Sequence, residues 1–183
     1  MNRLGLLERS KTALLIIDVQ ERLMPVIHDR ELVFQNVNRL IKGMGILSVP
    51  IVVTEQYPKG LGRTCTEIEL PEEQVPIAKR CFSCLLSEDV LSVLGEKDIQ
   101  SVILAGVESH ICVLKTALDA LKRGYEVHVV ADAVSSRTLA NKQLALARMR
   151  QSGAFVVSTE MVLFQLLDAA IGTEFKQISR LIK

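Results

Sequence analysis

Short apolar runs of strand type alternate along this chain with longer segments whose apolar residues recur at helical spacing, and no other feature constrains the fold as much. Thr12–Ile17 (TALLII) is a continuous apolar run ending at Asp18. Glu31–Met44 then places Val33, Val37, Leu40, Ile41 and Met44 on one helical face, with Gly45 as the expected stop. Ile51–Thr54 is β-branched, and residues 56–66, which hold Pro58, Gly60 and Gly62, predict a loop. Val75–Ala78 reads as a short strand ending at Lys79, and Ser87–Leu94 as a short helix. Ser101–Val107 (SVILAGV) is a further strand, followed by a helix face of Leu114, Ala117, Leu118 and Leu121 that Gly124 closes. Glu126–Val130 predicts a strand, Leu139–Arg150 a helix closed by Gly153, and Phe155–Val157 a sixth strand, with helical segments to Lys183. Six strands interleaved with helices predict an α/β fold: a three-layer sandwich with a six-stranded, mostly parallel sheet, helices on both faces and right-handed crossovers.

The 183 residues fit one domain, 1–183, since a domain takes roughly 100–200 residues. Lys and Arg number 22 and Asp and Glu 21, a net charge of +1, which lacks the basic surplus of a nucleic-acid binder. No apolar run approaches the roughly 20 residues of a membrane span. Arg3, Glu8, Arg9 and Lys11 interrupt the first stretch, so no signal-peptide core is expected. The expected location is therefore cytoplasmic, with Cys65, Cys81, Cys84 and Cys112 as reduced thiols. Mean hydropathy is +0.28. Met161–Ile171 is also more apolar than a solvated face needs, which predicts a homo-oligomer, a dimer or higher.

In open parallel sheets, sites form beyond the carboxyl ends of the strands. Three reactive side chains fall there: Asp18 after the first strand, Lys79 after the third, and Cys112 shortly after the fourth. Singly, each has an ordinary explanation: a helix cap, a solvated lysine, a small buried apolar residue. On one rim of one sheet they suggest chemistry. Cys112 should lie in the first turn of a helix beginning near Ser109, where free N–H groups and the helix dipole lower a thiol's pKa from about 8.5. Asp18 would oppose that as an anion, or take the thiol proton as a base. Lys79 would offset the negative charge and hold the carboxylate.

The segments Leu14-Leu15-Ile16-Ile17-Asp18-Val19-Gln20, the stretch around Lys79, and Gly106-Val107-Glu108-Ser109-His110-Ile111-Cys112-Val113 resemble the isochorismatase-like cysteine hydrolases. So do Asp119-Ala120-Leu121-Lys122-Arg123-Gly124-Tyr125-Glu126-Val127 and Asp132-Ala133-Val134-Ser135-Ser136. The resemblance implies strand order 3-2-1-4-5-6 and an Asp–Lys–Cys triad of Asp18, Lys79 and Cys112. It also implies a cis peptide between Val107 and Glu108, and an oxyanion hole from the backbone N–H groups of Glu108 and Cys112. The isochorismatases proper cleave a vinyl ether and lack the cysteine, so Cys112 argues against that reaction. The nicotinamidase branch carries metal-ligating histidines after the second strand. Here no histidine lies between His28 and His110, so neither a metal nor another cofactor is expected. The string Glu55-Gln56-Tyr57-Pro58-Lys59-Gly60-Leu61-Gly62 resembles a branch of isochorismatase-domain proteins of unassigned substrate.

Cys81-Phe82-Ser83-Cys84 matches C-x-x-C, but a zinc site needs two further ligands and no histidine pair is near, so the stretch is read as a pocket wall beside Lys79. No glycine follows the first strand, so a dinucleotide fingerprint fails where it is required. Asp132, Ser135 and Ser136 read as turn and cap residues, and His128 as a strand residue facing a helix or a subunit. The function these residues favour is metal-independent cysteine hydrolysis of a small amide or related C–N bond through a thioester. Gln20, Gln56, Tyr57, Phe82 and His110 are candidates to bind the small-molecule substrate. The alternative is a non-catalytic small-molecule-binding or protein-interaction module that keeps the fold.

Overall fold

The computed structural model describes residues 4–183. Six parallel strands, β1 (Thr12–Ile17), β2 (Ile51–Gln56), β3 (Ile77–Lys79), β4 (Ser101–Val107), β5 (Glu126–Ser135) and β6 (Phe155–Val157), form one sheet of order β3-β2-β1-β4-β5-β6. The helices are α1 (Arg30–Leu47), α2 (Pro58–Leu61), α3 (Glu88–Glu96), α4 (Leu114–Lys122), α5 (Leu139–Gln151), α6 (Thr159–Gln165) and α7 (Gly172–Ile182). Side chains alternate across a strand. Leu14 and Ile16 of β1 therefore pack with α1, α6 and α7, while Ala13, Leu15 and Ile17 pack with α3, α4 and α5. All six β1 residues are buried, as expected of a strand covered on both faces. Each leucine or isoleucine buried this way is worth about 1.5–3 kcal/mol.

Several boundaries differ from the sequence expectation. Gly45 does not stop α1; the helix runs on to Leu47, which is buried, and Ser48 closes it at φ 55°. The Val49 N–H then reaches the Met44 carbonyl at 2.9 Å, a Schellman closure. β3 starts at Ile77 rather than Val75, whose side chain is exposed, because Pro76 has no N–H to give a ladder. β2 extends to Gln56, and Pro58–Leu61 winds one helical turn inside the expected loop. β5 continues beyond Val130 to Ser135 through an irregularity in which pairing passes from Leu104↔Val129 to Gly106↔Val134. Asp132, within that stretch, accepts from Thr159 N–H at 2.8 Å and from Thr159 Oγ1 at 3.0 Å, tying β5 to the start of α6. His128 is fully buried in β5 and stacks on Phe155 of β6, with ring centroids 5.1 Å apart. No helix among the described residues is long and apolar enough to cross a membrane.

Candidate active site

The carboxyl ends of β1, β2, β3 and β4 meet on one rim. Gly106 makes the approach possible: its φ is +108°, and a β-carbon there would lie 2.1 Å from the Ile17 carbonyl oxygen. Only glycine fits so close to β1. The next peptide, Val107–Glu108, is cis, and Ser109–Val113 forms a π-helical turn that leads into α4. Such turns recur at functional sites. Cys112 lies in this turn and is 6% exposed.

Asp18 follows β1 with a left-handed φ of 53°. Lys79, two strands away, spans β2 and places Nζ 2.7 Å from Asp18 Oδ2, both side chains being fully buried. The ammonium also donates to Gln56 Oε1 at 2.9 Å and to the carbonyls of Cys81 and Phe82 at 3.3 and 3.4 Å. A buried ammonium costs several kcal/mol to desolvate, on the order of the figure for any buried ion, unless it is paired and hydrogen-bonded in this way. Thr54 donates its hydroxyl to Asp18 Oδ1 at 2.8 Å. Cys112 lies close enough to that carboxylate for its charge to act on the thiol.

The electrostatics correct one expectation. The Cys112 thiol is not eased toward thiolate by the helix start: burial first, then the Asp18 anion, push it well above the ordinary cysteine range, against the pull of Lys79. Burial likewise pushes Asp18 up, and Lys79, Cys112 and Thr54 draw it back only in part. Burial works against the charge of Lys79, but the Asp18 carboxylate beside it holds its ammonium above the usual lysine value. Burial and the Asp18 charge thus both disfavour a lone thiolate on Cys112.

The other candidates separate into two groups. The Gln20 side chain offers nothing free to a ligand. Its Nε2 donates to the Gln56 and Gly62 carbonyls at 3.0 and 2.7 Å, and its Oε1 accepts from the Gln56 N–H at 2.7 Å. It is a strap that holds the loop after β2. The amide of Gln56 is also engaged, through Oε1 with Lys79 and through Nε2 with the Arg80 carbonyl at 2.8 Å. Tyr57, Phe82 and His110 remain accessible. Tyr57 is 43% exposed, with the Arg80 guanidinium 4.7 Å above its ring, and Phe82 is 56% exposed. His110 is half-buried, its Nδ1 2.9 Å from Ser136 Oγ. Glu108 is nearly buried and accepts from the Arg137 N–H at 3.0 Å and from Arg137 Nε at 3.2 Å. Two participants escaped the sequence reading. Thr54 looked like the last residue of a strand, and Glu55 turns out to hold the loop by accepting from Thr64 N–H and Oγ1 at 2.6 and 2.8 Å. The signal available was a polar pair closing an apolar run at the sheet's carboxyl rim. Cys81 and Cys84 are free thiols, as are Cys65 and Cys112. Among the described residues, no group of three or more His, Cys, Asp or Glu side chains is arranged to hold a metal ion.

A six-stranded parallel sheet with an acid, a lysine and a cysteine gathered at its carboxyl rim defines a class, and the isochorismatase domain family matches residues 12–161. The chain belongs to that family. It is 43% identical over 182 residues to isochorismatase domain-containing protein 2 of Danio rerio, covering 100% of this chain and 92% of the relative. It is 40% identical to isochorismatase domain-containing protein 1 of Salmo salar, covering 98% of this chain but only 64% of the salmon protein. Among solved structures it resembles the MAR1 ribonuclease of Caenorhabditis elegans, with a TM-score of 0.90 and 38% identity, covering 96% of this chain and 91% of that one.

Proposed function

We propose that this protein is a metal-independent cysteine hydrolase that cleaves a small amide or related C–N bond, its residues 1–183 working as one catalytic domain. The observation that carries the reading is the fully buried Lys79–Asp18 ion pair, with Cys112 buried on the π-helical turn at the same rim of the sheet. Asp18 takes the Cys112 proton as the sulfur attacks the carbonyl carbon, a general base being most effective when it already hydrogen-bonds the proton it removes. The tetrahedral oxyanion is held by the backbone N–H groups of Glu108 and Cys112, and fixed donors of this kind contribute most where charge develops. Asp18 returns the proton to the leaving nitrogen, the C–N bond breaks, and the amine departs. The acyl group is left on Cys112 as a thioester. Water adds to that thioester with Asp18 again as base, releasing the acid and restoring the thiol. Lys79 holds Asp18 in place throughout.

Tyr57, Phe82 and His110 are the residues we assign to the substrate. We place the protein in a reducing, cytoplasmic compartment, in keeping with its four free thiols. We also read it as a homo-oligomer, in keeping with Met161 and Ile171, which remain 56% and 78% exposed. The test is a screen of small amides, ureas and imides for ammonia release, with and without a chelator. A hit that Cys112→Ala abolishes and the chelator spares supports the reading. A hit indifferent to Cys112→Ala refutes it, and no turnover of any member favours a binding module.

A further inference from the structure

Thr54 is fully buried near the carboxyl end of β2 and grips Asp18 at two points. Its carbonyl accepts from the Asp18 N–H at 3.1 Å, and its hydroxyl lies 2.8 Å from Asp18 Oδ1. A hydroxyl carries one proton and a carboxylate can only accept, so that proton points at Asp18. The Thr54 oxygen keeps acceptor capacity, and Cys84 Sγ lies 3.7 Å from it. Burial pushes the Cys84 thiol up to about 11, so it holds its hydrogen at neutral pH and is the donor. With the Thr54 proton aimed at Asp18 Oδ1, a Cys84 S–H to Thr54 Oγ1 bond completes a line to the carboxylate; the Thr116 hydroxyl is the second group beside Cys84, accepting its N–H at 3.0 Å. Lys79 occupies Oδ2 from β3, and Cys112 sits on the π-helical turn at the same rim.

We propose that Thr54 is a positioning residue for the cysteine chemistry, holding the Asp18 carboxylate in its working orientation through a hydroxyl that Cys84 orients. The inference rests on the reading of Asp18 as the base for Cys112. Valine would fill the same strand position and satisfy the same packing, so the hydroxyl has to be explained by what it bonds. A hydrogen bond to the ionised carboxylate favours that form, and Thr54 is among the groups that draw Asp18 down against burial. With two fixed donors, one on each oxygen, the carboxylate cannot swing away from the thiol.

The test follows Asp18 directly. The Asp Cγ resonances of the ¹³C-labelled protein are titrated, Asp18 being identified by its absence in Asp18→Asn. The Cys112→Ala background removes the coupled thiol. Thr54→Val should raise the Asp18 midpoint by about one to two pH units, the worth of one hydrogen bond to a charged group. Thr54→Ser should restore it. Cys84→Ala should move it the same way by less, since a donor to Thr54 strengthens its own donation. Cys84→Ala also decides the matter if Thr54→Val does not fold. A midpoint unchanged in both variants overturns the inference while leaving Asp18 as base untouched. The iodoacetamide rate at Cys112, compared between the native chain and Asp18→Asn, separates the other failure. A rate indifferent to Asp18 refutes the base assignment, and Thr54 then positions nothing that reacts.

Discussion

Acidification should destabilise this protein through His128, far from the candidate site. The imidazole is fully buried in β5, stacks on Phe155, and has no hydrogen-bond partner on either nitrogen among the described residues. Burial alone lowers its pKa from 6.5 to about 4. The folded state therefore keeps His128 neutral while the unfolded chain takes up a proton as pH falls through 6.5. The unfolded state binds more protons across that window, so stability is fully present above it and is lost as pH falls toward the folded value. At about 1.36 kcal/mol per unit, the loss reaches about 2 kcal/mol at pH 5 and about 3 kcal/mol at pH 4. Carboxylates contribute acid effects of their own, so the comparison is with His128→Phe, which keeps a ring against Phe155. Urea unfolding at pH 7 and pH 5, at one fixed protein concentration, gives the difference. The native chain should lose about 2 kcal/mol more than the variant. Equal losses would show that His128 is solvated or partnered in the folded state, and the argument from burial would be wrong.

Other perturbations test the site and the fold. Asp18→Asn should lower turnover by about 10²–10⁴-fold while making Cys112 alkylate faster at neutral pH, because the anion that raises the thiol is gone and Lys79 remains; slower alkylation with lower turnover would point to a distorted site instead. Gly106→Ala should cost more than about 4 kcal/mol, visible as a large fall in Tm or as insoluble protein, because a backbone carbonyl cannot yield as a flexible side chain can. Sedimentation equilibrium at micromolar concentration should give a mass above the 20.3 kDa of one chain, and a value at that mass would contradict the oligomer reading.

The sequence determined the layers and most of the site's membership. Thr12–Ile17 and Ser101–Val107 have the ends their apolar runs predict, because a strand buried on both faces writes its length directly as hydrophobicity. Asp18, Lys79 and Cys112 stood out because polar residues that end such runs lie on one rim. What the tertiary structure decided are quantities that depend on partners distant in the chain. α1 passes Gly45 because Leu47 finds a buried position, and β5 passes Asp132 because Thr159 takes its carboxylate. Gln20 becomes a loop strap rather than a ligand contact because backbone groups of residues 56 and 62 use all its polar atoms. The sign of the shift at Cys112 reverses for the same reason. A helix start acts on a thiol through a few local N–H groups, whereas burial and the Asp18 charge act only once β1 and the π-helical turn are brought together.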